Sequence, residues 1–338
     1  MLRNATGALL VALLATAHAL TPPRVMFRAI GTDSKGVVWQ VRTAVNEPLV
    51  VLGAKKFPVK TREPFDLFEI HAAIDSRDTA WIVDGKGRGV RVKLADGVAE
   101  EFRVPVSMQL VGGIAARDGK LYFGDSGGSA GRTVRQMDVV SGETKTLATL
   151  GAEWSVHTVV SGKRRLWIAA WTGFAPSRHS IELIALDWAE GNIALRSQRD
   201  MPWSNPHWSK FELVEAENGA AWVANGYSGR VERLDASGTW QGWSLDGRTP
   251  SKLVAARFGA ACLLQQLQPP KGPQFSGGPI QSPTVLRREI AAFQPGSTKF
   301  IMCPVETDVS LSADRDGGVR VEGRGRLSLE GGRLHIVP

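Results

Sequence analysis

Apolar and polar positions alternate along this chain in short runs, separated by turns rich in Gly, Asp and Ser. The pattern is clearest in His71-Ala72-Ala73-Ile74-Asp75-Ser76-Arg77-Asp78-Thr79-Ala80-Trp81-Ile82-Val83-Asp84, an alternating strand, a polar turn and a second apolar strand carrying an aromatic. Successive side chains of an extended strand point to opposite faces, so this alternation predicts half-buried β structure. The same arrangement recurs, with second strands anchored at Trp39, Trp81, Tyr122, Trp167, Trp222, Cys262 and, in a weaker final copy, Arg320. The anchors lie roughly 40 to 58 residues apart, a period expected of propeller blades.

Each repeat parses into four short antiparallel strands. The second copy reads most cleanly, as Ile70 to Asp75, Thr79 to Asp84, Gly89 to Leu94 and Ala99 to Val104. Asp-Gly pairs at Asp84-Gly85 and Asp96-Gly97 are strong hairpin signals. The other copies run from about Arg24 to Phe65, from Val111 to Leu150, and from starts near Ser155, Lys210, Lys252 and Val309. The expected fold is an all-β propeller of four-stranded antiparallel blades, seven in number. Six is the alternative, because the first and last copies are the weakest.

The first residues change the picture of where the chain works. A basic start at Arg3, an apolar run from Ala8 to Leu14 and the small residues Ala17-His18-Ala19 read as a cleaved secretory signal over residues 1–19. Leu20 to Pro338 then forms a single propeller domain, periplasmic or secreted and monomeric. The apolar run is too short to span a bilayer, so no membrane insertion is expected after cleavage. The net charge of +8 is spread without a long basic run, which reads as a solvated surface and not as a nucleic-acid footprint. In an oxidising compartment Cys262 and Cys303 raise the question of a disulfide. They fall on the second and fourth strands of one repeat, roughly 9–10 Å apart and beyond bonding reach. Two buried thiols are expected.

Cores of the type Ile30-Gly31-Thr32-Asp33-Ser34-Lys35-Gly36-Val37-Val38-Trp39 resemble the repeats of NHL-type propellers. They are also similar to those of streptogramin lyase, the SMP-30/gluconolactonase family and the regulator propellers of sensor kinases. The likeness covers Leu20 to Pro338 at the level of the repeat. No Gly-His…Trp-Asp pair of the WD40 type is present.

In a propeller the start of the first strand and the end of the second meet one face of the molecule. Aligned on the anchors, the position ten residues earlier holds His71, His157, Glu212 and Lys252 among others. The position three residues later holds Arg42, Asp84, Asp125, Asn225 and Gln265. A sheet core would fill such positions with apolar residues. Their polarity points either to a binding face or to a water-filled channel, and an Asp ending a strand also has the chemistry to cap the turn beyond it. Histidine can act as acid, base or metal ligand. The likeness to streptogramin lyase implies a His general base, His157 or His71, beside a divalent metal such as Mg or Ca held by Glu212. The gluconolactonase likeness implies a carboxylate-and-asparagine metal site, for which Glu212, Asp125 and Asn225 are the available ligands. Asp84, Lys252, Gln265, Arg42 and Trp171 complete the candidate ligand-binding set.

Long connections point to the same face: Trp171 to Ser180, Arg199 to Trp208, and a Pro- and Gly-rich stretch from Gln268 to Pro283 that reads as a lid. Trp154, Trp171, Trp203 and Trp208 cluster on or beside them, as stacking platforms or as plugs for the loops. The Gly-rich turn from Ser126 to Gly131 lacks the Lys and helix start of a phosphate loop. Three functions fit: a propeller binding a small polar ligand or protein partner at the blade 4–6 loops, a metal-assisted lyase or lactone hydrolase, or a sensory or structural module of a larger periplasmic assembly.

Overall fold

The computed structural model describes the chain apart from residues 1–24, 45–46, 67–68, 107–109, 127–131, 173–178, 189–190, 202–210, 269–282, 306–308 and 315. The proposed signal, most of the proposed lid, Trp203 and Trp208 therefore lie outside the described residues. The described residues form seven four-stranded antiparallel sheets, the blade organisation of a seven-bladed β-propeller.

Sheet 1 holds β1 (Met26–Thr32), β2 (Val38–Thr43), β3 (Leu49–Leu52) and β4 (Lys56–Val59). Sheet 2 holds β5 (Ile70–Ile74), β6 (Thr79–Asp84), β7 (Arg88–Lys93) and β8 (Ala99–Arg103). Sheet 3 holds β9 (Leu110–Arg117), β10 (Lys120–Asp125), β11 (Arg132–Asp138) and β12 (Thr144–Leu150). Sheet 4 holds β13 (Trp154–Ser161), β14 (Arg165–Thr172), β15 (His179–Asp187) and β16 (Ile193–Met201). Sheet 5 holds β17 (Phe211–Glu215), β18 (Ala221–Asn225), β19 (Arg230–Leu234) and β20 (Trp240–Ser244). Sheet 6 holds β21 (Thr249–Ala256), β22 (Gly259–Gln268), β23 (Thr284–Phe293) and β24 (Ile301–Val305). Sheet 7 holds β25 (Leu311–Ala313), β26 (Val319–Val321), β27 (Gly325–Glu330) and β28 (Arg333–Val337). Within each sheet every strand hydrogen-bonds its neighbour in sequence, as short hairpins require.

Two compact units divide the chain. One comprises Met1–Leu110, Ile114–Leu121 and Met137–Thr144; the other comprises Val111–Gly113, Tyr122–Gln136 and Lys145–Pro338.

In the first unit, the repeat motif has a direct physical cause. Asp75 ends the first strand of its hairpin, and one carboxylate oxygen accepts the N–H groups of Arg77 and Thr79 at 2.9 and 3.0 Å. Its other oxygen accepts the indole N–H of Trp81 at 2.9 Å. Asp33 does the same for Lys35, Val37 and Trp39. The spacing Asp-x5-Trp thus places one carboxylate to close the turn and to satisfy the polar edge of the buried anchor. Between sheets 1 and 2 lies a core of Ile30, Trp39, Val51, Ile82 and Val90, among others. Gly97, in left-handed conformation with φ 78°, lies against Phe57: an added Cβ would sit 2.3 Å from that ring.

In the second unit each neighbouring pair among sheets 4 to 7 has its own apolar core. Trp167, Leu183 and Leu213 pack between sheets 4 and 5, Trp222, Trp243 and Phe293 between sheets 5 and 6, and Leu263, Leu311 and Val321 between sheets 6 and 7. The last repeat departs from expectation: Arg320 is exposed, while Val319 and Val321 on either side of it are buried. The inward residues of β26 are therefore out of step with the anchor alignment by one place. The cysteines are free; Cys262 is buried, but Cys303 on the edge strand β24 is partly exposed.

Candidate functional site

In the second unit, His157 lies where β13 departs from its ladder. Val156 pairs with Ala170 and Thr158 with Ala169, which leaves His157 as an extra residue in a β-bulge. A bulge bends its strand and re-aims a side chain. Here the imidazole stacks on Trp171, with ring centroids 3.6 Å apart and planes at 26°. Phe211, the first residue of β17, presents its ring at 88° and 4.8 Å from the imidazole. Tyr227 stands at 85° and 6.4 Å, and at 89° and 5.0 Å from Trp171. All four residues are half-buried. Burial also raises the Tyr227 phenol pKa above its ordinary value.

Tyr227 owes its place to Asn225. This fully buried amide accepts the N–H groups of Tyr227 and Ser228 at 3.1 and 3.3 Å, and its Nδ2 donates to the Met201 sulfur at 3.1 Å. Asn225 is a turn cap that fixes an aromatic. Phe211 and Tyr227 were not singled out from the sequence. Tyr227 did carry a signal: it is one of only two tyrosines, set in the turn Gly226-Tyr227-Ser228-Gly229, where a bulky aromatic has no structural reason to be.

On the other side of β17, Glu212 accepts the backbone N–H of Leu253, and Lys252 Nζ lies 3.9 Å from its carboxylate. Asp125 is buried, with Arg135 Nη1 at 3.3 Å. Gln265 is half-buried near the end of β22, in register with Thr249. Trp154 is buried and not an exposed platform; its carbonyl accepts a hydrogen bond from Arg132 at 2.7 Å.

The residues do not fit a divalent metal. Among the described residues no three His, Cys, Asp or Glu side chains are grouped as ligands would be. Each predicted ligand is also committed elsewhere. The Asn225 oxygen accepts two backbone donors, Asp125 faces a guanidinium, and Glu212 holds an N–H beside an ammonium that opposes a second cation.

In the first unit, His71 is neutral at pH 7. Burial, helped by the nearby Arg28 charge, outweighs a hydrogen bond to Leu110 and the Asp84 charge, and pushes its pKa down to about 4. A general base works best with a pKa near the working pH, so His71 suits that role poorly. Asp84 is fully buried. It accepts the N–H groups of Asp66, Lys86 and Arg88 at 2.9, 3.0 and 2.9 Å, and Nε of Arg88 at 2.6 Å. It is a structural cap. Arg42 pairs with Glu47 at 2.7 Å.

No protein-family model matches the chain, and no curated protein matches it. Solved structures do. Virginiamycin B lyase from Staphylococcus aureus, as a catalytically inactive variant with quinupristin, is similar with a TM-score of 0.51 at 12% identity, over 88% of this chain and 97% of that one. A streptogramin B lyase gives a TM-score of 0.53 at 11% identity, over 88% and 94%. A selenomethionine-substituted virginiamycin B lyase, also from Staphylococcus aureus, gives 0.52 at 14% identity, over 89% and 96%. At such identities the likeness establishes the β-propeller fold. Among the described residues no helix is long and apolar enough to cross a membrane.

Proposed function

We propose that this propeller, exported after loss of residues 1–19, binds a small polar ligand bearing a flat ring or sugar face at the His157 cluster. The observation that carries the reading is the cluster itself: an imidazole re-aimed by a bulge, stacked on Trp171 and ringed by Phe211 and Tyr227. Aromatic faces with a polar handle suit ligands that are flat on one side and hydrogen-bonding at the edge. His157 supplies a ring nitrogen to read that edge, and the Tyr227 hydroxyl a second polar tip. The metal-assisted lyase reading shares His157 but lacks a grouped ligand set among the described residues.

The test is a ligand screen by saturation-transfer NMR, using monosaccharides, nucleosides and heteroaromatic acids, against the wild type, Trp171→Ala, His157→Ala and Arg42→Ala. A ligand of this site should bind the wild type, lose at least tenfold in affinity in the first two variants, and bind Arg42→Ala normally. If every compound that binds the wild type binds Trp171→Ala and His157→Ala equally well, the cluster is packing and the proposal fails.

A further inference from the structure

A second site lies in the first unit, remote in sequence from the His157 cluster. After β4 the chain runs through Thr61 to Asp66 as a strap along the outer strands of sheet 2. The strap is pinned at both ends: the N–H of Arg62 donates to Glu101 at 2.9 Å, and that of Asp66 to the buried Asp84 at 2.9 Å. Between strap and sheet opens a cavity of about 350 Å³, walled by Phe65 and Phe102 with Gly89 at its base. A neighbouring cavity of about 390 Å³ shares Arg62 and Glu101 with it and reaches Lys60.

The chemistry of the walls is specific. Phe102 lies directly over Gly89, where an added Cβ would come within 2.4 Å of its ring. It also meets Trp81 edge-on, with ring centroids 5.6 Å apart. Its position is therefore fixed, and it presents a rigid apolar surface. The same cavity is lined by three arginines, Arg62, Arg88 and Arg103. Asp84 holds Arg88 through Nε alone; among the described residues no hydrogen bond takes up its two Nη groups. Arg62 and Lys60 have no carboxylate within ion-pair distance among those residues, and Arg103 reaches Glu63 only at 3.8 Å and in the open. An oriented guanidinium beside loosely held ones forms a receptor for a planar anion, because its fork of N–H donors matches two oxygens at once.

We propose that this groove binds a small amphipathic anion, with an apolar ring on Phe65 and Phe102 and a carboxylate or sulfonate between Arg88, Arg62 and Arg103. Asp84 is the positioning residue: it orients Arg88 and tethers the strap in the same set of hydrogen bonds. Glu101 opposes the anion and sets the upper limit of its affinity.

The probe is 8-anilinonaphthalene-1-sulfonate, titrated into the full-length native protein and followed by its fluorescence and by calorimetry. One saturable site is expected, weakening with added salt because the contact is ionic. N-phenyl-1-naphthylamine, with similar rings and no sulfonate, should bind at least about tenfold more weakly. The double variant Arg62→Ala/Arg103→Ala alters exposed side chains and should lose about tenfold or more, as expected for removing charge-assisted contacts. Glu101→Gln should bind the sulfonate more tightly, while Trp171→Ala and His157→Ala should bind it as the wild type does. Three results would overturn the proposal: no saturable binding to the wild type, equal binding by the double variant, or loss of binding in Trp171→Ala. The last would move the probe to the other unit and leave the His157 reading standing.

Discussion

Asp75 is the residue on which the repeat turns, because one carboxylate meets three donors at once. In Asp75→Ala the buried indole N–H of Trp81 and two turn amides lose their acceptor together. Each unsatisfied buried group costs about 1–3 kcal/mol, and the two turn amides can recover water. Urea denaturation should therefore show a loss of about 2–4 kcal/mol, and Asp75→Asn, which keeps one acceptor oxygen, should lose less. Asp33→Ala should cost less than Asp75→Ala, since that turn is more open to solvent. Equal, negligible losses would show that the Asp-x5-Trp spacing is incidental. His71 gives a pH-dependent counterpart. Its imidazole takes a proton below about pH 4 in the folded chain but below about pH 6.5 when unfolded. Between those values the unfolded chain binds more protons, so this stability is complete above pH 6.5 and is lost as the pH falls towards 4. Some solvent screening reduces the full shift, leaving a contribution of about 1–3 kcal/mol. Comparing melts of the wild type and His71→Gln across pH 4 to 7 isolates it, because the variant should lack this part of the slope. Parallel curves would mean that His71 does not titrate differently in the two states.

Strands carry the next level of information, and here the β-bulges decide what the sequence can reveal. Anchors, hairpins and the four-strand parsing were legible because alternation and Asp-Gly turns act locally: Thr79 to Asp84 was read with its observed bounds. The ring of polar positions was not, because it assumed that ten residues always span the same ladder geometry. They do not. Ala73 pairs with Trp81 and leaves His71 two places back. Leu253 pairs with Cys262 and leaves Lys252 only one place back, with a bulge just beyond. Val160 pairs with Trp167, and His157 sits three places back within its own bulge. Periodicity records none of this, since a bulge depends on how two strands pair. Nor does it show that Asp84, Asp125 and Asn225 are held by neighbours, which needs the folded contacts. The bulge makes a sharp prediction. His157→Ala removes ring contacts worth about 0.5–1.5 kcal/mol each and should cost about 1–2 kcal/mol in urea denaturation. Deleting His157 leaves Val156 opposite Ala170 and Thr158 opposite Ala169 as consecutive pairs with their faces unchanged, so it should cost little more than His157→Ala. Glu212→Ala also becomes more costly than a channel-lining residue would be, about 1–2 kcal/mol, since it strips the Leu253 N–H of its acceptor. If the deletion costs several kcal/mol more than His157→Ala, the extra residue is needed to hold β13 in place, and is not merely a means of presenting the imidazole.

At the scale of the molecule, the second unit is stabilised between sheets as much as within them. The indole of Trp167 in sheet 4 donates to Glu215 of sheet 5 at 3.1 Å, and the same carboxylate accepts the N–H of Arg164 at 2.8 Å. Further round, Trp243 of sheet 5 stacks on Trp222 at 5.3 Å and donates to the Ser297 carbonyl beside sheet 6 at 3.0 Å. Arg248, just after sheet 5, meets the buried Glu289 of sheet 6 at 2.6 Å. The junctions of sheets 4–5 and 5–6 thus each combine an apolar core with a polar clamp, while that of sheets 6–7 has its own apolar core. In such an architecture stability is close to a sum of nearest-neighbour terms, and local opening can follow the junctions. Trp167→Ala removes a fully buried aromatic and leaves Glu215 without its indole donor, a loss of about 3–5 kcal/mol. Native-state hydrogen exchange should register that loss unevenly: amides of β14, β17 and β18 should exchange much faster, while those of β26 and β27, two junctions away, should change little. A uniform acceleration through sheets 4 to 7 would show instead that the unit opens only as a whole, with the junctions coupled too tightly to be separated.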